Sequence, residues 1–166
     1  MIFVTVGTQL PFDRLVRTVD DWAGRTGRDD VFAQIGPSEY VPRHMESAVG
    51  LDPAQFRARM EQAEFIVAHA GMGTIINALR MEKTLVVMPR KADLGEHRND
   101  HQIATVRELG SRGLVHAVAD ERALADTLDT LGTLSPLPPL PEFAQASLID
   151  RVRRFVHAES TPTGSR

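Results

Sequence analysis

The sequence lacks cysteine altogether: none of its 166 residues is one. This absence excludes a disulfide framework, a thiolate metal site and a thiol nucleophile. The first residues, MIFVTV, also lack the basic segment that precedes the apolar core of a secretory signal. Together, these two absences make a cytoplasmic location the expectation.

Long hydrophobic runs and an excess of positive charge are missing as well. Apolar runs such as residues 2–6 and 85–88 are far shorter than the roughly 20 residues that span a bilayer. The net charge of -3 provides no overall basic field, so nucleic-acid binding is disfavoured and an anionic ligand must be held by local geometry. The length and the 42% of hydrophobic residues fit one globular domain.

Two nucleotide-binding fingerprints are also absent. No GxGxxG pattern follows the first strand-like segment, and GxxxxGK[ST] occurs nowhere in the chain. Their absence weakens the case for a nicotinamide-dependent dehydrogenase and for a P-loop nucleotidase.

Strand-like and helix-like patterns alternate along most of the chain. Buried-strand patterns lie at residues 2–6, 31–35, 65–68, 85–88 and 114–115, and a short extended piece is expected within 40–49. Helical patterns lie at residues 12–23, 53–62, 74–81, 99–109 and 120–131. This alternation predicts an α/β fold with a doubly wound, Rossmann-like parallel sheet.

The end of the chain has a different composition. A proline-rich connector at residues 135–141 precedes a helix predicted over residues 142–157, and residues 158–166 have the composition of a disordered tail. Residues 1–157 are therefore predicted to form a single domain.

The sharpest local feature is the segment AHAGMGT, residues 68–74, which runs from a strand end into a helix start. Gly71 and Gly73 allow a tight turn and the close approach of an anion, and the helix N-terminus offers free N–H groups. A phosphate or diphosphate would fit there. The alternative is that the glycines only permit a tight turn between strand and helix, because short glycine patterns have little specificity.

A second polar cluster, GEHRNDHQ at residues 95–102, follows the strand at 85–88. In a parallel sheet this loop should converge with the 68–74 turn and with Gly7-Thr8, because ligands collect at the carboxyl ends of the strands. His97 and His101 are four residues apart, but a third metal ligand at helical spacing is missing, which favours a hydrogen-bonding site over a metal site. His101 and Gln102 could instead be ordinary residues of a helix start.

Three segments together resemble a known family: VTVGTQLPFDRL at residues 4–15, IVAHAGMGTIINAL at 66–79, and MPR followed by GEHRNDHQIATVREL. They are similar to the carboxy-terminal, nucleotide-sugar-binding domain of GT-B glycosyltransferases, of the family 28 type. The small stand-alone members resemble the chain most, namely the cytosolic subunit of the eukaryotic UDP-N-acetylglucosamine transferase of dolichol-linked glycan synthesis and PssE-like bacterial exopolysaccharide subunits. The resemblance implies that the chain is equivalent to the C-terminal half of a GT-B enzyme.

The resemblance also implies where the donor binds. The turn at residues 71–74 matches the diphosphate loop of the family, His101-Gln102 match a pair that reaches the sugar and phosphate, and Asn77 stands where relatives have a ribose-binding glutamate. An amide at this position loses a charge-assisted acceptor. The substrate-binding residues predicted in this way are Gly7, Thr8, His69, Gly71, Met72, Gly73, Thr74, Asn77, Glu96, Asn99, His101 and Gln102.

The function that the resemblance implies is inverting transfer of a sugar from a UDP-sugar to a lipid-linked acceptor, in polysaccharide or glycan biosynthesis, without an obligatory metal. The acceptor base is expected on a separate membrane-anchored subunit, which would hold the chain at the cytoplasmic membrane. The candidate contact is the predicted C-terminal helix, from Phe143 to Val156.

Two alternatives belong to other classes of protein. A non-catalytic nucleotide-sugar sensor or scaffold stays open because of Asn77. A sugar epimerase of related architecture is disfavoured, because the chain is too short for that fold.

Overall fold

A computed structural model of the chain describes residues 1–138. The end of the proline-rich connector, the helix predicted over residues 142–157 and the tail at 158–166 lie outside the described residues. Within residues 1–138, no helix is both long enough and apolar enough to cross a membrane.

The observed elements alternate as the sequence predicts. The strands are β1 (Ile2–Thr5), β2 (Val31–Gln34), β3 (Glu46–Ala48), β4 (Phe65–His69), β5 (Thr84–Met88) and β6 (His116–Ala117). The helices are α1 (Asp13–Thr26), α2 (Pro53–Gln62), α3 (Met72–Arg80), α4 (His101–Ser111) and α5 (Glu121–Asp129), followed by a 3-10 turn at Leu131–Thr133.

The described strands form one parallel sheet with the order β3-β2-β1-β4-β5-β6. The strand order reverses between β1 and β4, where Thr5 lies beside Ala68. This arrangement confirms the predicted doubly wound, Rossmann-like fold. It also places a topological switch point, where ligands of such sheets bind, at the carboxyl ends of β1 and β4.

Helices cover both faces of the sheet. The strands alternate in the usual way, so Ile2 and Val4 pack with α1 and α5 on one face, while Phe3 packs with α2, α3 and α4 on the other. Both faces are apolar, which explains why the strand segments are continuous hydrophobic runs.

The prediction for the last strand was wrong by two residues. It was expected at 114–115, but the paired residues are His116 and Ala117. The N–H of Leu114 donates to the carbonyl of Leu109 at 3.0 Å, so Leu114 still completes the end of α4. Its apolar neighbour Val115 is buried against the second face without belonging to the sheet ladder.

Candidate functional site

The carboxyl ends of β1, β4 and β5 open into a cleft of 1090 Å³. It begins at the switch point between β1 and β4 and continues into a groove between α2 and α3. The predicted convergence of the loops after β1, β4 and β5 is therefore present in the fold, since each of them contributes lining residues.

The N-terminus of α3 forms one wall of the cleft. Gly71 is the N-cap residue, and no side chain caps the helix. Within residues 1–138, no group accepts a hydrogen bond from the backbone N–H groups of Met72, Gly73 and Thr74. Because these donors lie at the positive end of the helix dipole, they are suited to an anion.

The ring of His69 fills the space between the loop after β1 and the turn before α3. A Cβ atom on Gly7 would come within 2.8 Å of His69 Cε1, and one on Gly71 would overlap His69 Nε2. Gly7 also has a φ of 75°, which L side chains rarely adopt. Burial lowers the pKa of His69 to about 4, and the charge of Arg90 adds to the shift. The imidazole is therefore neutral near pH 7.

Gln102 joins the ends of two strands beside the cleft. Its Oε1 accepts hydrogen bonds from the backbone N–H groups of Ala70 and Arg90, both at 3.2 Å. The side chain is buried, and these two bonds fix the orientation of its amide. Nε2, which has no acceptor within residues 1–138, is the group that remains for a ligand.

The charges around the cleft are of one sign. Arg57, Arg80 and Arg90 line it, and the described part of its lining contains no aspartate or glutamate. The chain as a whole carries a net charge of -3, so this positive region is local. Such a field favours an anionic ligand.

The groove between α2 and α3 has an apolar floor and polar walls. Phe56 and Met81 provide the apolar surface, with the buried Met60 beneath them, while Asn77 and Arg80 are exposed on the α3 side. A ligand that carries both a planar apolar part and a phosphate group can contact the groove and the turn before α3 at the same time.

Comparison with known families decides the assignment. The model of the glycosyltransferase family 28 C-terminal domain matches residues 1–141. The chain belongs to this family. A search of curated proteins found no match.

Solved structures share the fold of this family 28 domain. The glycosyltransferase of kitacinnamycin aligns with a TM-score of 0.60 and 19% identity, over 95% of this chain and 39% of that one. ALG13, in its solution structure, aligns with a TM-score of 0.58 and 20% identity, over 91% of this chain and 93% of ALG13. MurG of Acinetobacter baumannii aligns with a TM-score of 0.56 and 17% identity, over 78% of this chain and 40% of MurG. The chain thus spans less than half of two of these enzymes and nearly all of ALG13.

Most of the predicted binding residues of the family 28 domain lie at the cleft. Those that line it are Gly7, Thr8, His69, Gly71, Gly73, Thr74, Asn77 and Gln102. Met72, Asn99 and His101 are exposed nearby but do not contribute to its lining. Whether any of these residues contacts a ligand stays a prediction.

Glu96 is placed elsewhere by the fold. Its two carboxylate oxygens accept from Nε and Nη2 of Arg14, both at 2.8 Å, and one also accepts from the N–H of Lys91 at 2.9 Å. The side chain is buried and ties α1 to the loop after β5, and it does not line the cleft. Its position thus fits a structural role, not the predicted contact with substrate.

Sequence reasoning did not single out the arginines of the cleft. Arg90 follows β5 directly, at the edge where ligands collect, and this position was the available signal. His97 was weighed as part of the polar cluster at 95–102 but not included among the predicted binding residues, yet it lines the cleft. Within residues 1–138, no group of three or more histidine, aspartate or glutamate residues is arranged to hold a metal ion.

Proposed function

We propose that residues 1–157 form the donor-binding domain of an inverting glycosyltransferase that uses a UDP-sugar. The observation that carries this proposal is the cleft at the switch point, which combines the free N–H groups of α3 with three arginines and no carboxylate among its described lining residues. In this arrangement the diphosphate lies against the turn at residues 71–74. The nucleoside extends into the groove toward Asn77.

The chemistry of the transfer needs stabilisation of the departing nucleoside diphosphate. Backbone N–H groups at a helix N-terminus supply it, and they are already oriented before the reaction. Arg90 adds a positive charge beside them. These groups do what a divalent cation does at other transferase sites, so we propose that no metal is obligatory.

The base that deprotonates the acceptor is assigned to a separate subunit. No carboxylate lines the described part of the cleft. Of its two histidines, His69 has a pKa of about 4 and is a weak base at neutral pH, and Nδ1 of His97 is engaged by the backbone of Asn99. The similarity to ALG13, 93% of which the alignment covers, supports the proposal that a partner supplies this base. The proposed partner is membrane-anchored and binds a lipid-linked acceptor, as in exopolysaccharide synthesis. Its contact would be the segment from Phe143 to Val156, and the domain would be cytoplasmic and peripheral to the membrane.

A nucleotide-sugar sensor or scaffold without turnover is the second candidate. The neutral Asn77, exposed in the groove, favours it, because an amide is a weaker acceptor for ribose hydroxyls than a carboxylate. Both candidates require binding of the nucleotide, and they differ only in transfer.

Calorimetric titration with UDP and UDP-sugars tests nucleotide binding, which both candidate functions require. We expect binding by the full chain, and a loss of affinity of at least about tenfold for Gly71→Ala, because the added Cβ displaces either His69 or the turn. Gly132→Ala is the control, since a Cβ there has open space and lies outside the cleft. Absence of UDP binding by the unaltered chain would contradict both candidates.

Transfer assays distinguish the transferase from the sensor or scaffold. The full chain is supplied with a UDP-sugar, with membranes of its source and with the polyprenyl-linked lipids that they contain. Incorporation of sugar into lipid supports the transferase. Binding without incorporation supports the sensor, and full activity without membranes contradicts the two-subunit arrangement.

A further inference from the structure

Four carbonyl groups of the loop between β1 and α1, residues 6–11, are held by two side chains. Arg90 donates to three of them, and Gln34 Nε2 donates to the fourth, that of Gly7, at 2.7 Å. The acceptors of Arg90 are the carbonyl oxygens of Val6 and Leu10, at 2.7 Å, and of Pro11, at 2.6 Å. These four carbonyl groups are thereby directed toward the protein.

Arg90 is a buried cation that the fold does not pair with an anion. It is 3% exposed, and its remaining bond is to the carbonyl of Glu96 at 3.1 Å. The Glu96 carboxylate is bound to Arg14, and no carboxylate of residues 1–138 lies within ion-pair distance of Arg90. Burial lowers the pKa of Arg90 to about 10, which leaves it charged at neutral pH. Burying an unpaired charge costs free energy, and an anion in the cleft would offset that cost.

N–H groups in the middle of the same loop are left free, whereas those of Val6 and Gly7 donate to the Gln34 carbonyl and to Thr5 Oγ1. Thr8 and Gln9 line the cleft, and no group among residues 1–138 accepts from their backbone N–H. The His69 ring lies against both Gly7 and Gly71, so the loop and the start of α3 are both next to this one side chain. Two sets of free N–H groups therefore border the same space.

We propose that Arg90 and Gln34 are positioning residues. They bind carbonyl groups of loop 6–11 and thereby make the loop a second set of N–H donors for the phosphates of the ligand. Both η nitrogens of Arg90 are already engaged by carbonyls, so it acts through the loop and through its charge. Gln34 is positioned in turn by Thr5, whose Oγ1 donates to Gln34 Oε1 at 2.5 Å. This inference rests on the proposed binding of a nucleoside diphosphate.

Amide NMR of the full chain, titrated with UDP and separately with inorganic diphosphate, provides the test. In the unaltered protein we expect shifts of the Thr8 and Gln9 amide signals together with those of Gly73 and Thr74. Arg90→Lys keeps the charge, but the three N–H donors of a lysine cannot serve all four carbonyl groups that Arg90 binds, three in the loop and that of Glu96. Gln34→Glu keeps the acceptor for Thr5 and removes the donor to Gly7. Each variant should lose about tenfold in UDP affinity, and its Thr8 and Gln9 signals should no longer respond.

The controls are changes of the same kind away from the cleft. Arg28→Lys alters an ion pair with Asp30, and Gln62→Glu alters the exposed end of α2. Both should bind UDP as the unaltered chain does. If Arg90→Lys does not fold, Gln34→Glu decides the question.

The possible outcomes are distinct. The inference is supported if, in the two variants, the Gly73 and Thr74 signals still respond while those of Thr8 and Gln9 do not. The retained response also shows that a general loss of structure is not the cause. UDP affinity within about twofold of the unaltered chain, with Thr8 and Gln9 still responding, overturns it. So does an unaltered chain that binds UDP without any change at Thr8 and Gln9. If no cleft residue of the unaltered chain responds to either ligand, the proposed function itself fails.

Discussion

The two faces of the sheet differ in how completely their helices close over it. On one face α1 and α5 contact each other, and Trp22 Nε1 donates to Asp129 Oδ1 at 3.0 Å across the contact. On the other face α2 and α3 stand apart, and the fully buried Met60 lies beneath the floor of the groove between them. The same sheet thus has a closed face, covered by α1 and α5, and an open face, where the groove separates α2 from α3.

Because of this difference, we expect substitutions on the two faces to have different effects on stability and on ligand binding. Side chains of the closed face that do not line the cleft, such as Leu124, pack in the core, so their removal should affect unfolding alone. Side chains that line the groove, including the buried Met60 beneath its floor, contribute to both, because the shape of the groove depends on them. Two of the following predictions test this separation of stability from binding, and one concerns His69 of the cleft.

The largest effect is expected in the core. Leu124, on the closed face, and Met60, on the open face, are both fully buried. Leu124→Ala and Met60→Ala should each lower the free energy of unfolding by about 3 kcal/mol, because each leaves a cavity. Only Met60→Ala should also weaken UDP binding by the folded protein. Urea denaturation and calorimetry measure the two effects, and equal losses of affinity would contradict the separation.

A smaller effect concerns pH and the buried His69. Its ordinary pKa of 6.5 falls to about 4 in the folded chain because of burial. As the pH falls below 6.5, the unfolded chain gains a proton that the folded chain does not, so the free energy of unfolding decreases until about pH 4. The slope contributed by this group is at most about 1.4 kcal/mol per pH unit.

Replacement of His69 isolates this contribution. Denaturation at a series of pH values should show a flatter profile between pH 6.5 and 4 for His69→Gln than for the unaltered chain. A profile of His69→Gln parallel to that of the unaltered chain would show that this histidine is not the cause.

The smallest effect is expected at two helix caps. Asp52 caps α2 on the open face, accepting from the Gln55 N–H at 2.8 Å, and Asp120 caps α5 on the closed face, accepting from the Ala123 N–H at 2.9 Å. Replacing either by alanine should cost about 1 kcal/mol of stability. Only Asp52→Ala should slightly weaken UDP binding, because α2 is a wall of the groove. A change in UDP affinity for Asp120→Ala would contradict the expectation that only the open face contributes to binding.

Local sequence signals predicted most of the elements well. Asp52-Pro53 predicts the start of α2, and the structure shows the complete capping box, with Gln55 Oε1 accepting from the Asp52 N–H. The buried runs of β1 and β4 are similarly clear, because both faces of a central parallel strand are apolar. Failures occur where pairing depends on distant residues, as at β6, whose two residues are selected by their register with β5.

The sequence by itself determined the α/β alternation, the turn at residues 71–74 and the edge of the sheet at which the loops converge, because these follow from local periodicity and from the direction of parallel strands. Only the tertiary structure decided that Glu96 binds Arg14 and does not line the cleft, and that Arg90 and Gln34 hold four carbonyl groups of loop 6–11. Those choices join residues separated by 27 to 84 positions. No local pattern encodes them, because they depend on which buried polar groups the packed chain brings within hydrogen-bonding distance.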